Sequence, residues 1–168
     1  MDSARRLGTV APVAIPELFT SESLYTPDQW FVHDIVETGE RHMVGICDTS
    51  ELASHPLVVA QRSWPGQPKH VPGAIMVQIT GTLGNIHAVT VLNLRMTDGW
   101  VGFGTNILDA RFRGLGRIGP PLRCELKVEE LRELKGQLFV TYEFRFGQEG
   151  RAIYKSRQRA SWSRVQAS

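Results

Sequence analysis

From residue 70 to residue 94 the chain carries no Asp, Glu, Lys or Arg. The run is too long for one buried strand. It is also too rich in Gln, Thr, Gly, Asn and His for a membrane span. Two Pro-Gly turns lead into it, Pro65-Gly66 and Pro72-Gly73. Pro fixes φ and Gly accepts positive φ, so each pair interrupts regular structure. The spacing therefore predicts one helix opening at Gly73, apolar on most sides and wrapped by the rest of the chain.

That helix has a polar stripe. At 100° per residue, Gln78, Thr82 and Asn85 fall on one side. Ile75, Met76, Val77, Ile79, Leu83 and Ile86 cover most of the remainder, with Thr80 and His87 roughly opposite Gln78. Gly81 and Gly84 each cost about 1 kcal/mol against Ala in a helix interior. They are expected to let another backbone or a ligand come close. Two readings of the stripe stay open: polar groups satisfied by neighbouring backbone, or one wall of a substrate tunnel.

The C-terminal third is the clearest part of the sequence. Leu122, Cys124, Leu126 and Val128 alternate with charged residues, and Leu138, Val140, Tyr142, Phe144 and Phe146 alternate again. Ala152, Tyr154, Ala160 and Trp162 mark one face of a last strand whose other face is Lys155, Arg157 and Arg159. Alternation of this kind, joined by short turns at Gly136 and 147–150, describes an antiparallel meander with one buried face. Upstream, 30–37, 41–49 and 100–112 read as further strands, with Gly102 and Gly104 marking a bulge or close packing. A short helix and loop are expected within 15–28, and 91–96 reads as helix end or strand. The fold class is α+β: a single domain over 15–165, with a curved antiparallel sheet of five or six strands round one long central helix. Residues 1–14 read as a flexible terminal segment.

Composition narrows the function. A length of 168 residues suits one domain, and a net charge of +2 does not argue for nucleic acid. The only cysteines, Cys47 and Cys124, fit neither a disulfide framework nor a metal signature and read as small core residues. No leader or targeting motif is visible, which makes a cytoplasmic protein the expectation. No membrane span, metal or cofactor is predicted.

Three segments carry a resemblance: His55-Pro56-Leu57, then Ser63-Trp64-Pro65-Gly66-Gln67-Pro68, then Val71-Pro72-Gly73-Ala74-Ile75-Met76. Further on stand Ala110-Arg111-Phe112-Arg113 and Gly119-Pro120-Pro121-Leu122-Arg123-Cys124-Glu125-Leu126. Together they resemble the 3-hydroxyacyl-ACP dehydratases of fatty-acid synthesis, proteins of the hot-dog fold. The resemblance implies that fold and acyl thioesters carried by ACP or CoA, in fatty-acid or polyketide-type biosynthesis. It also implies a dimer with residues of both subunits at each site. In the family a His before the first Pro-Gly and an acid on the helix carry out the elimination, a base and an acid being what that step needs. Here those positions hold Ser63 and Gln78. Gln can orient a group but cannot exchange a proton as a carboxyl does. No His is placed by the sequence to activate Ser63.

Candidate catalytic residues are therefore Gln78, Ser63 and His70, the last in the loop just before the helix. The helix N-terminus at Gly73 and Ala74 would bind the thioester carbonyl. Trp64, Thr82 and Asn85 would line the substrate path. In the basic group Arg111, Arg113, Arg117 and Arg123, we single out Arg113 and Arg117 for a pantetheine phosphate, which suits the planar guanidinium fork. A solvated rim is the other reading of that group. A hot-dog thioesterase is an alternative function. So is a catalytically silent acyl-binding subunit, in a heterodimer whose partner supplies the missing His or acid.

Overall fold

The structure is a computed structural model that describes residues 13–165. Its strands are β1 (Val13–Ala14), β2 (Asp34–Gly39), β3 (His42–Cys47), β4 (Trp100–Phe112), β5 (Leu122–Leu134), β6 (Gln137–Gln148) and β7 (Arg151–Arg164). They form one seven-stranded sheet in the order β1-β2-β3-β5-β6-β7-β4. Every pairing is antiparallel. The helices are α1 (Glu17–Glu22), α2 (Pro56–Val59) and α3 (Gly73–Thr90).

Period-two patterning sets which face of the sheet is covered. In β5, Leu122, Cys124, Leu126 and Val128 are buried, while Arg123 and Lys127 between them are exposed. In β6, Val140, Tyr142, Phe144 and Phe146 are buried. Against them packs the 18-residue helix α3, through Ile75, Ile79, Leu83 and Ile86. Gly45 allows this closeness, whereas a Cβ on Gly84 would make only ordinary contact. A Cβ on Gly45 of β3 would stand 3.2 Å from Leu83 Cδ1 and 2.9 Å from Val32 Cγ1. One on Gly84 would stand 3.6 Å from the Tyr142 ring. Cys47 and Cys124 are buried core residues of β3 and β5, and burial pushes the Cys47 thiol up to about 12.

The central helix and the meander stand where the sequence puts them, and the fold is the hot-dog arrangement of a curved sheet round one long helix. Several details differ. The first long strand starts at Asp34 instead of residue 30, because Trp30 closes a 3₁₀ turn over Pro27–Gln29. Its indole N–H donates to Ser23 Oγ at 2.9 Å and to the Tyr25 carbonyl at 2.8 Å, which pulls the chain off the sheet. Residues 91–95 are irregular, with Asn93 at φ 55°, and Met96 opens a 3₁₀ turn. The apolar run at 57–60 is largely the short helix α2, where His55 Nδ1 accepts the Leu57 N–H. Val13 and Ala14, assigned by sequence to the terminal segment, pair with Ile35 and Asp34. The remainder of that segment, 1–12, lies outside the described residues.

The largest correction concerns α3. It is not wrapped all round: Ala74 and Gly81 are exposed, and Gln78 and Asn85 are half-buried. The sheet ends at β4, which bonds β7 along one side only. Its other edge leaves the helix stripe open. Bulges interrupt β4 between Gly104 and Asn106 and between Ile107 and Asp109. Val101, Phe103, Ile107, Leu108 and Phe112 are exposed along it. No helix among the described residues is long and apolar enough to cross a membrane.

Candidate functional site

The open stripe of α3 is one wall of a chamber of about 380 Å³. Gln78, Gly81, Thr82 and Asn85 line that wall. The opposite wall comes from the inner faces of the last strands: Tyr142 and Phe144 of β6, Gln158 and Trp162 of β7, and Trp100 to Gly104 of β4. One end is closed by Phe19, Glu22 and Ser23 to Tyr25. Gly102 makes room for Trp162, since a Cβ there would fall 2.1 Å from the indole Nε1.

Part of the polar lining is internally satisfied. Thr80 Oγ1 donates to the Val77 carbonyl at 2.6 Å and accepts from Gln158 Nε2 at 2.9 Å, fastening α3 to β7. The same amide lies 3.1 Å from Ser156 Oγ and 3.4 Å from Tyr154 Oη. Gln78 makes only a long contact, from Nε2 to the Gln29 carbonyl at 3.5 Å. The Thr82 hydroxyl, the Asn85 amide and the Trp162 indole N–H have no hydrogen-bond partner among the described residues. None of them is among the buried orphan atoms, so all three face the chamber's open space.

Groups that could move a proton are scarce in the chamber. Among the described residues no histidine lines it, and the one carboxylate is that of Glu22. Glu22 accepts from the Met96 N–H at 2.5 Å, the Thr97 N–H at 3.2 Å and Thr97 Oγ1 at 2.5 Å. Burial pushes its pKa up, but these bonds and the Arg95 charge outweigh that, so the carboxyl sits below its ordinary value. Burial pushes the Tyr142 phenol well up, so it stays protonated.

The sequence-derived candidates divide between two places. Gln78, Thr82 and Asn85 line the chamber. Ser63, His70, Trp64, Gly73, Ala74, Arg113 and Arg117 do not. Ser63 and Trp64 are exposed, beside the turn in which the Trp64 and Gln67 backbones bond each other at 3.1 and 2.9 Å. His70 is pinned through its backbone, whose N–H and C=O both bond the Gln61 amide, at 2.9 and 2.8 Å. Gly73 lies under the Phe112 ring, 2.9 Å from where its Cβ would be. Ala74 is exposed one residue further on. Of the four arginines, Arg117 pairs with Glu149, Arg123 with Glu37 and Glu125, and Arg111 with Asp109. Arg113 has no carboxylate partner among the described residues.

Sequence reasoning did not single out Glu22, Trp100, Gln158 or Trp162. Gly102 was the available signal, since a glycine within a long strand marks close approach, and the approaching group is Trp162. A second concavity, of about 580 Å³, lies between 27–33 and 51–56. Its His33 is fully engaged: Nδ1 accepts the Asp48 N–H at 2.9 Å, and Nε2 lies 3.2 Å from Glu51 Oε2. The α3 chamber is thus the better candidate.

No family profile matches the chain, and no curated protein matches it by sequence. Solved structures do match in fold. A mutant thioesterase from Pseudomonas aeruginosa aligns with TM-score 0.64 at 10% identity, over 90% of this chain and 94% of that one. A thioesterase from Haemophilus influenzae aligns with TM-score 0.63 at 14% identity, over 90% and 92%. A dehydratase heterocomplex from Xenorhabdus doucetiae aligns with TM-score 0.56 at 10% identity, over 84% and 87%.

Proposed function

We propose that the protein holds acyl thioesters of ACP or CoA in the α3 chamber, as one subunit of a dehydratase-type site completed by a second hot-dog chain. One observation carries this reading. Among the described residues the chamber offers apolar walls and unpaired polar groups but no free acid or base, since the one carboxylate there is locked onto Met96 and Thr97. Eliminating water from a 3-hydroxyacyl group needs both. Gln78 stands where the resembling dehydratases carry their acid, and there it can orient the substrate without exchanging its proton.

The free edge of β4 supports a partner subunit. Its unpaired N–H and C=O groups and exposed Phe103 and Ile107 are what strand addition uses. A chain added there would also lie against the open stripe of α3. The dehydratase heterocomplex and the two thioesterases share the fold, and the names of the latter two support a thioester ligand here.

The test is mass spectrometry of a 3-hydroxyacyl-pantetheine incubated with the pure protein. The expected result is bound, unchanged substrate. Loss of water should begin when a hot-dog subunit bearing His and Glu is added. Dehydration by the pure protein would instead make it an enzyme with an unusual base, and His70→Ala would follow. Release of the free acid would make it a thioesterase.

A further inference from the structure

The polar groups of the chamber are spread along it. Gln78 and Asn85 are seven residues apart on α3, about 10 Å at 1.5 Å per residue, and Thr82 stands between them. Trp162 faces them from β7. Thr82 and Trp162 are 5% and 6% exposed, so what little of them is accessible meets what fills the chamber. A saturated alkyl chain laid there would displace water without replacing its hydrogen bonds. Each donor or acceptor left unmet weakens binding roughly tenfold. A chamber meant for plain alkyl chains needs none of these groups, since apolar side chains of similar size would line it better.

We infer that the acyl chain taken by this chamber is oxygenated along its length, carrying hydroxyl or keto groups beyond the one nearest the thioester. This inference rests on the acyl-thioester reading above and adds the substrate class to it. Asn85 and Gln78 each both donate and accept, the Thr82 hydroxyl does the same, and the indole N–H donates. Hydroxyl and keto oxygens therefore both find partners. Charge enters the lining at two residues: Glu22, whose carboxylate is taken up by Met96 and Thr97, and the half-buried Arg159.

The test compares pantetheine thioesters of one chain length. One is saturated, one has a single hydroxyl beside the thioester, and one is hydroxylated at several positions. Binding is read from tryptophan fluorescence, which Trp100 and Trp162 place at the chamber wall. The multiply hydroxylated chain should bind roughly tenfold tighter than the saturated one. The paired substitution Thr82→Val with Asn85→Leu should abolish or reverse that order. If the saturated chain binds as tightly as the hydroxylated one to the unaltered protein, the inference is wrong while the acyl-thioester reading stands. If no thioester binds, the acyl-thioester reading fails, and this inference with it.

Discussion

Glu22 borders the chamber, yet its role is to hold the chain together. Its carboxylate ties α1 to the turn at Met96–Asp98 through three hydrogen bonds. Replacing it by Gln leaves part of that buried set unmet, and Glu22→Gln should lower unfolding free energy by about 1–3 kcal/mol in urea titrations. The pH dependence has a definite sign. The folded carboxyl lies below its ordinary value of 4.5. As pH falls through that value, the unfolded chain takes the proton first, and stability drops until the folded group protonates too. His87 behaves likewise at higher pH. Its Nε2 bonds the Glu40 carbonyl at 3.0 Å and its Nδ1 is buried without a partner, so burial holds its pKa below 6.5. Stability should therefore fall as pH drops below 6.5, and His87→Phe should remove that slope. Two glycines should respond in opposite ways. A Cβ on Gly81 meets nothing within 4 Å, so Gly81→Ala should stabilise by about 0.5–1 kcal/mol. Gly102→Ala drives a methyl into Trp162 and should cost about 1–3 kcal/mol. Thermal melts of both variants check the pair.

The elements that could be read from the sequence are those with an uninterrupted period. β4 spans Trp100–Phe112 as expected despite its two bulges, and α3 opens at Gly73 after its Pro-Gly turn. In β5 the alternation names the buried face directly, whereas in β6 Thr141 and Glu143 of the other face are buried as well. What failed was 30–33, where apolar residues suggested strand. Trp30 finds its partners in Ser23 and Tyr25, a tertiary bond that no local pattern carries. The open stripe of α3 was misjudged for a related reason. Lack of charge implies enclosure, but the sequence does not say whether the same chain provides it. The β4 edge suggests what does. Ile107 is 54% exposed and does not line the chamber. If the proposed partner subunit adds to this edge, Ile107→Lys should abolish the complex in sedimentation velocity of the two chains mixed. Like most surface changes, it should leave monomer stability within about 0.5 kcal/mol.

At the scale of the whole molecule, a chamber is built where the sheet stops covering its helix. Three of the candidate residues, Gln78, Thr82 and Asn85, meet there because helical periodicity alone aligns them. The other wall was out of reach of sequence reasoning: Trp162, Gln158 and Trp100 arrive from strands far along the chain, through the pairing of β4 with β7. Ser63, His70 and the helix N-terminus lie outside the chamber, and how they relate to it depends on what sits against β4. A substitution at Gly81 measures whether acyl thioesters occupy this chamber. A leucine there projects into the chamber from a site where an added Cβ touches no other atom. Titrating a 3-hydroxyacyl-pantetheine into the unaltered protein should give a saturable change in tryptophan fluorescence, and Gly81→Leu should abolish it while melting no lower. Equal binding by both proteins would mean that the ligand lies elsewhere.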